Sequence, residues 1–199
     1  MEKRKLPPPD IDLYDDPKTL YECVKNAILA FEEKESFLIK EDLGERCICG
    51  KFAQYLEREI HNIKKYELFD VDIEYDKGYQ GDHAKSKRLK YLAAGDREET
   101  VHRIQPDIIA HVREYDESRG YYNLVCIEMK KKKDYNANKI DADEERLQKL
   151  TRDDYGFGYR IGLMIIADTV REKYTIEDNR GLKIKSIYVN GECKLEEEL

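Results

Sequence analysis

The stretch Arg160-Ile161-Gly162-Leu163-Met164-Ile165-Ile166-Ala167 is apolar from its second residue onward. A strand flanked by protein on both faces reads this way, because no alternate position is left for water. The run predicts a buried strand over 160–167 and, with it, a sheet covered by helices, an α/β arrangement. Outward from it, Leu147 and Leu150 mark the inner side of a short helix over 141–152, and residues 184–189 read as the last strand. On the other side, 103–112 and 123–129 read as two strands separated by a charged turn containing Glu114, Asp116, Glu117 and Gly120.

Further upstream, Phe69, Val71, Ile73 and Tyr75 alternate with Asp70, Asp72 and Glu74, the pattern of a strand with one apolar face. Residues 76–100 are polar and contain glycine, and read as a long hairpin-like connection or mobile loop. Two helices precede these strands. Asp16 is read as an N-cap with Pro17 at the first helical position, and Leu20, Cys23, Val24, Ala27, Ile28 and Phe31 follow at helical spacing to about Lys34. The second helix is expected over 42–64, on a stripe of Ile48, Cys49, Phe52, Leu56, Ile60 and Ile63.

The expected organisation is a single domain over 1–199. A flexible tail runs to residue 15, a helical extension covers 16–39, and the core occupies 40–167 with a central mixed sheet of four to five strands. A C-terminal strand and acidic tail fill 168–199. At 199 residues, 40% hydrophobic and 40% charged, the chain suits one core and is short for two. No apolar run approaches the roughly 20 residues that cross a bilayer, and the basic, Pro-rich N-terminus has no secretion-signal pattern. A cytoplasmic protein is expected, with no membrane partner. The odd number of cysteines, mostly within apolar patterns, reads as reduced thiols, and the Cys47-x-Cys49 pair has no second pair at zinc-finger spacing.

The net charge of −7 excludes a protein that coats nucleic acid without discrimination. Lys85, Lys87, Arg88 and Lys90 form one basic cluster and Lys130 to Lys133 another, which leaves room for a basic strip on an acidic body.

The chemistry is concentrated in two strands. Alternation puts Leu124, Cys126, Glu128 and Lys130 on one face, while Pro106 before Asp107 fits a place where the ladder opens. If the strands are neighbours, Asp107 and Glu128 converge on one cation. Mg²⁺ takes hard oxygen ligands of this kind beside a phosphate, and the Met129 carbonyl would add another. Lys130 would orient the nucleophile or neutralise developing charge. Glu45 sits on the apolar stripe of the second helix, where an unpaired carboxylate is costly. Asp42-Leu43-Gly44-Glu45 also fits a capping box, and a cap and a site role can coexist.

Pro106-Asp107 followed by Glu128-Met129-Lys130 resembles the PD-(D/E)xK signature of the restriction-endonuclease-like nucleases. Its context, from Gly44-Glu45-Arg46 through Glu74-Tyr75 to the two strands, resembles that superfamily over about 40–167. The resemblance implies a restriction-endonuclease-like core, with Asp107 and Glu128 as metal ligands, Lys130 as the catalytic lysine and Glu45 as the helical acid. The segment Asp143-Glu144-Glu145-Arg146-Leu147 is similar to an uncharacterised bacterial subgroup with D-x-x-K-L, and Arg146 stands here in place of the lysine.

Alone, Glu74 reads as a solvated strand carboxylate, and near the site as a further ligand. Lys87, Arg88, Lys131 and Arg146 are candidates for nucleic-acid contact or for solvent-facing charge. Tyr155, Phe157 and Tyr159 suit base stacking or core packing. His61, His83, His102 and His111 show no metal-ligand spacing. The leading expectation is a Mg²⁺- or Mn²⁺-dependent endonuclease acting on DNA, with RNA not excluded, and a homodimer would permit double-strand cuts. The alternatives are an inactive nucleic-acid or protein binding module on the same fold, and an enzyme of nucleotide or other phosphate substrates.

Overall fold

The computed structural model describes residues 17–80, 83–91, 98–113, 123–134, 136–152, 157–169 and 180–196. The 1–15 tail, the Asp16 cap, the charged turn from Glu114 to Gly120, Tyr155 and the acidic residues after Glu196 lie outside them.

Helices α1 (Pro17–Lys40) and α2 (Glu45–His61) come first, followed by β1 (Asp70–Ile73). Four short strands then precede the central pair: β2 (Lys77–Gln80), β3 (His83–Ser86), β4 (Arg88–Tyr91) and β5 (Thr100–Arg103). The chain continues through β6 (Ile108–His111), β7 (Asn123–Lys131), α3 (Ala137–Leu150), β8 (Ile161–Asp168), β9 (Gly181–Val189) and β10 (Glu192–Glu196). Among the described residues the main sheet has six strands in the order β1-β6-β7-β8-β9-β10. It is mixed. Strands β7 and β8 pair in parallel and the other neighbours pair antiparallel.

The parallel pair requires a crossover, and α3 supplies it. Ile109, Cys126, Met164 and Ile166 meet Ile140, Leu147 and Leu150 of α3 on one side of the sheet. On the other side Ile108, Ile127, Leu163 and Ile165 meet α1 and α2. Every residue of β8 is buried, as its unbroken apolar run predicts. Helices α1 and α2 lock through Phe31, whose ring meets Phe52 and Tyr55 edge-on, each at 6.1 Å between centroids.

Several local expectations are corrected. Helix α1 continues to Lys40 through a break at Glu35, whose carboxylate accepts the Tyr55 hydroxyl at 2.9 Å. Helix α2 starts at Glu45 behind Gly44, without the capping box. Asp42 has a φ of 53° and gives its carboxylate to Lys131 and Lys133, so it cannot cap. The expected 103–112 strand is divided, because Pro106 carries no amide to donate to a ladder. The expected connection over 76–100 holds two ribbons, β2–β3 and β4–β5. Strand β10 exceeds the expected strand number. Asn190 and Gly191, both at positive φ, make the tight turn that lets it pair with β9. Leu124 leaves the face of Cys126, because β7 bulges where β6 shifts register between Ala110 and His111, and it packs with the α1–α2 core instead.

Gly162 sets how closely α3 approaches β8. A Cβ there would stand 2.9 Å from Thr151 Cγ2 and 3.3 Å from Cys126 Sγ. Thr151 cannot easily yield, since its hydroxyl donates toward the Leu147 and Gln148 carbonyls and accepts from the Gly191 amide. Gly162→Ala is therefore expected to lower stability by about 1–3 kcal/mol through overpacking, read as a lower urea midpoint at unchanged m-value.

Candidate active site

At the end of β7 the sheet stops being apolar. Pro106 opens the β6 ladder, and Asp107 uses the gap: its Oδ2 accepts the Met129 amide at 2.7 Å while its carbonyl accepts the Glu74 amide at 3.1 Å. One aspartate thus ties the end of β1 and the start of β6 to the end of β7. Lys130 follows. Its Nζ lies 3.6 Å from Glu45 Oε1, 3.6 Å from Asp107 Oδ2 and 3.4 Å from Asp143 Oδ2, and donates to the Met129 carbonyl at 3.0 Å. Burial pushes the Lys130 ammonium toward losing its proton, but Asp107, Asp143, Glu128 and Glu45 outweigh it, so its pKa rises and the charge is held.

Glu128 takes a different partner. It is 1% exposed and is gripped by Arg146, Nε to Oε1 at 2.8 Å and Nη2 to Oε2 at 2.7 Å. Arg146 Nη2 also donates to Asp143 Oδ1 at 2.7 Å, leaving the buried Asp143 Oδ2 to Lys130 without a hydrogen bond. Burial pushes the Glu128 carboxyl up to about 8, with Asp107 and Asp143 adding to the rise and Arg146 opposing it. The Glu45 carboxyl is also raised, first by burial and then by Asp107, against the pull of Lys130.

Beside this cluster lies a small open cleft, lined by Glu45, Arg46, Cys49, Ile73, Glu74 and Asp107. Glu74 has a φ of 50°, and its carboxylate is paired by Arg46. Cys49 stays a thiol, since burial raises its pKa far above the ordinary value, with Asp107 and Glu45 adding to the shift.

The expected residues Glu45, Asp107, Glu128, Met129 and Lys130 therefore share one end of the sheet, with Glu74 at the cleft wall. Among the described residues no three His, Cys, Asp or Glu side chains converge on a point that holds an ion as they stand. Lys130 Nζ occupies the point on which Glu45, Asp107 and Asp143 close, and Arg146 holds Glu128.

Three candidates for nucleic-acid contact are corrected. Lys87 is 4% exposed and donates to the Tyr159 hydroxyl at 2.8 Å, between the Tyr75 and Tyr159 rings, and burial lowers its pKa to about 8. Tyr159 is itself 1% exposed, so neither presents a surface to a base or a phosphate. Lys131 points away from Lys130, as alternation requires, and donates to the Asp42 and Leu43 carbonyls at 3.0 and 2.9 Å. It anchors the turn that carries Glu45. Arg146 is part of the cluster, and Arg88 is exposed.

Asp143 was not singled out by its own pattern. Its signal was the helical spacing of Ile140, Asp143 and Leu147, which puts a carboxylate on the buried stripe one turn before Arg146.

No protein-family model, curated protein or solved structure matches this chain.

Arg146→Met leaves Glu128 buried without its counter-charge, at an expected cost of about 3–5 kcal/mol near pH 8.5. The folded state holds the Glu128 proton between its ordinary 4.5 and about 8, so stability falls as pH rises through that window. The cost of Arg146→Met should accordingly shrink toward pH 5. Urea titrations at both pH values check this, with the added Glu128→Gln exchange expected to flatten the difference.

Proposed function

We propose that this chain is a Mg²⁺- or Mn²⁺-dependent nuclease that hydrolyses DNA phosphodiester bonds on a restriction-endonuclease-like core. The observation that carries the reading is a charge imbalance: Glu45, Asp107, Glu128 and Asp143 gather around Lys130 and Arg146, four carboxylates against two cations. Burial is the first cause of the raised Glu45 and Glu128 carboxyls, and Asp107 adds to both. A dication would relieve the imbalance.

Asp107 and Glu45 line the open cleft and supply the hard oxygens that Mg²⁺ takes from one or two carboxylates, with the Met129 carbonyl beside Lys130. When bound, such an ion polarises a phosphate and lowers the pKa of a water. Lys130 keeps its proton among the carboxylates and presents a fixed positive charge to a non-bridging phosphate oxygen or to the attacking water. Glu128 and Arg146 hold Asp143 against Lys130 and so set where that charge sits. Glu74, paired to Arg46, shapes the cleft mouth.

A second reading, a binding module on the same scaffold, is favoured by the Arg146 grip on Glu128, which withdraws one expected ligand. The two part on variants. Lys130→Met is expected to lose cleavage by about a hundredfold or more yet keep Mn²⁺-dependent thermal stabilisation, because the ammonium competing for Glu45 and Asp107 is gone. Asp107→Asn should lose both. Wild-type silence on linear, circular and branched DNA with either metal, without any metal-dependent rise in melting temperature, would remove the nuclease reading in favour of the module.

A further inference from the structure

The β4–β5 ribbon rests on the body by one face. Leu89 is 3% exposed within the α3-side core, and Lys149 of α3 donates to the Lys90 carbonyl at 3.0 Å. Alternation therefore turns Arg88 and Lys90 outward, and both are exposed. The pairing sets Arg88 opposite Arg103 and Lys90 opposite Val101, and these partners are exposed as well.

Two arginines directly across an antiparallel pair repel each other. Asp76 pairs with Arg103, whereas Arg88 has no carboxylate partner among the described residues. In a chain of net charge −7, this outward face brings together Arg88, Lys90 and the Asp76-paired Arg103, with Glu99 near Lys90 itself paired by Lys149. Phosphate is the anion such a face attracts.

The face is tied to the site. Ile104, Gln105 and Pro106 alone separate Arg103 from Asp107, which limits the two Cα atoms to about 14 Å. Hydrogen bonds stitch the ribbon root to the end of β1: Lys87 N to the Asp76 carbonyl, Ile104 N to the Lys87 carbonyl, and the Gln105 amide to the Glu74 carbonyl. At about 3.4 Å of rise per nucleotide, that reach spans about four nucleotides.

We propose that the outward face of β4–β5, formed by Arg88, Lys90 and Arg103 with Val101 opposite Lys90, docks the phosphate backbone of the DNA on which the Lys130 site acts. The inference rests on the nuclease reading for its substrate. Its contacts are to backbone, so they set position on the DNA without reading its sequence.

Binding of a labelled 30-base-pair duplex, followed by fluorescence anisotropy in EDTA, separates docking from cleavage. R88Q/K90Q is expected to bind about tenfold or more weakly at about 0.1 M salt, and to lower the slope of log K against log salt by about 2. K25Q/K34Q removes the same charge from exposed positions on α1 and should leave that slope unchanged. An unchanged slope in R88Q/K90Q, an equal loss in K25Q/K34Q, absence of duplex binding by the wild type, or preference for an RNA duplex of the same sequence would each overturn the docking face. Metal-dependent cleavage with an unchanged slope overturns the face and leaves the nuclease standing. A reduced slope without cleavage and without metal-dependent thermal stabilisation under either metal supports the face and removes the nuclease.

Discussion

Burying charge at the end of β7 is the constraint from which the arrangement follows. The strand is covered on both faces, yet it ends in Glu128, Lys130 and Lys131. Each of these must be compensated where water is scarce, and each compensating group comes from a different element. Arg146 of α3 answers Glu128, Glu45 of α2 and Asp107 before β6 answer Lys130, and the turn at Asp42 answers Lys131. Satisfying these charges and docking α2, α3 and β6 against β7 are one event.

The same requirement produces a site. Apolar packing seats α1 and α2 on one side of the sheet and α3 on the other. Ion pairs with defined partners tie α2 and α3 to the end of β7. They do so with more carboxylates than cations, and burial raises the Glu128 and Glu45 carboxyls toward holding their protons. A chain selected for stability alone would have apolar residues here, since a buried pair is often no better than a well-packed hydrophobic substitute.

Patterns set by local periodicity were legible in the sequence. The apolar run of β8 and the stripes of α1 and α2 stand close to their expected positions, because burial on one side or two imposes a spacing on the chain itself, whereas β1 is only Asp70–Ile73 and leaves Ile73 of its expected apolar face exposed. Features that depend on a partner far along the chain were not legible. The capping box at Asp42 is lost to lysines 89 and 91 positions away. Leu124 changes face through a bulge against β6, and the ribbons within 76–105 are short and polar, carrying little alternation of their own. The turn at Asn190-Gly191 did carry a local signal, which makes β10 a readable strand.

The site divides in the same way. The sequence by itself determined which residue types stand on β7 and before β6: Asp107 after a proline, and Glu128 and Lys130 two residues apart on one face. It also determined that Glu45 lies on a buried helical stripe, because strand and helix periods are properties of the local backbone. Only the tertiary structure decided that Lys130 stands among Glu45, Asp107 and Asp143, that Arg146 takes Glu128, and that Lys87, Lys131 and Tyr159 face inward. The physical reason is that a buried charge selects its partner by proximity in space. Proximity between residues 45, 107, 130 and 143 exists only once the parallel β7–β8 pair, its α3 crossover and the α1–α2 layer have closed on one another.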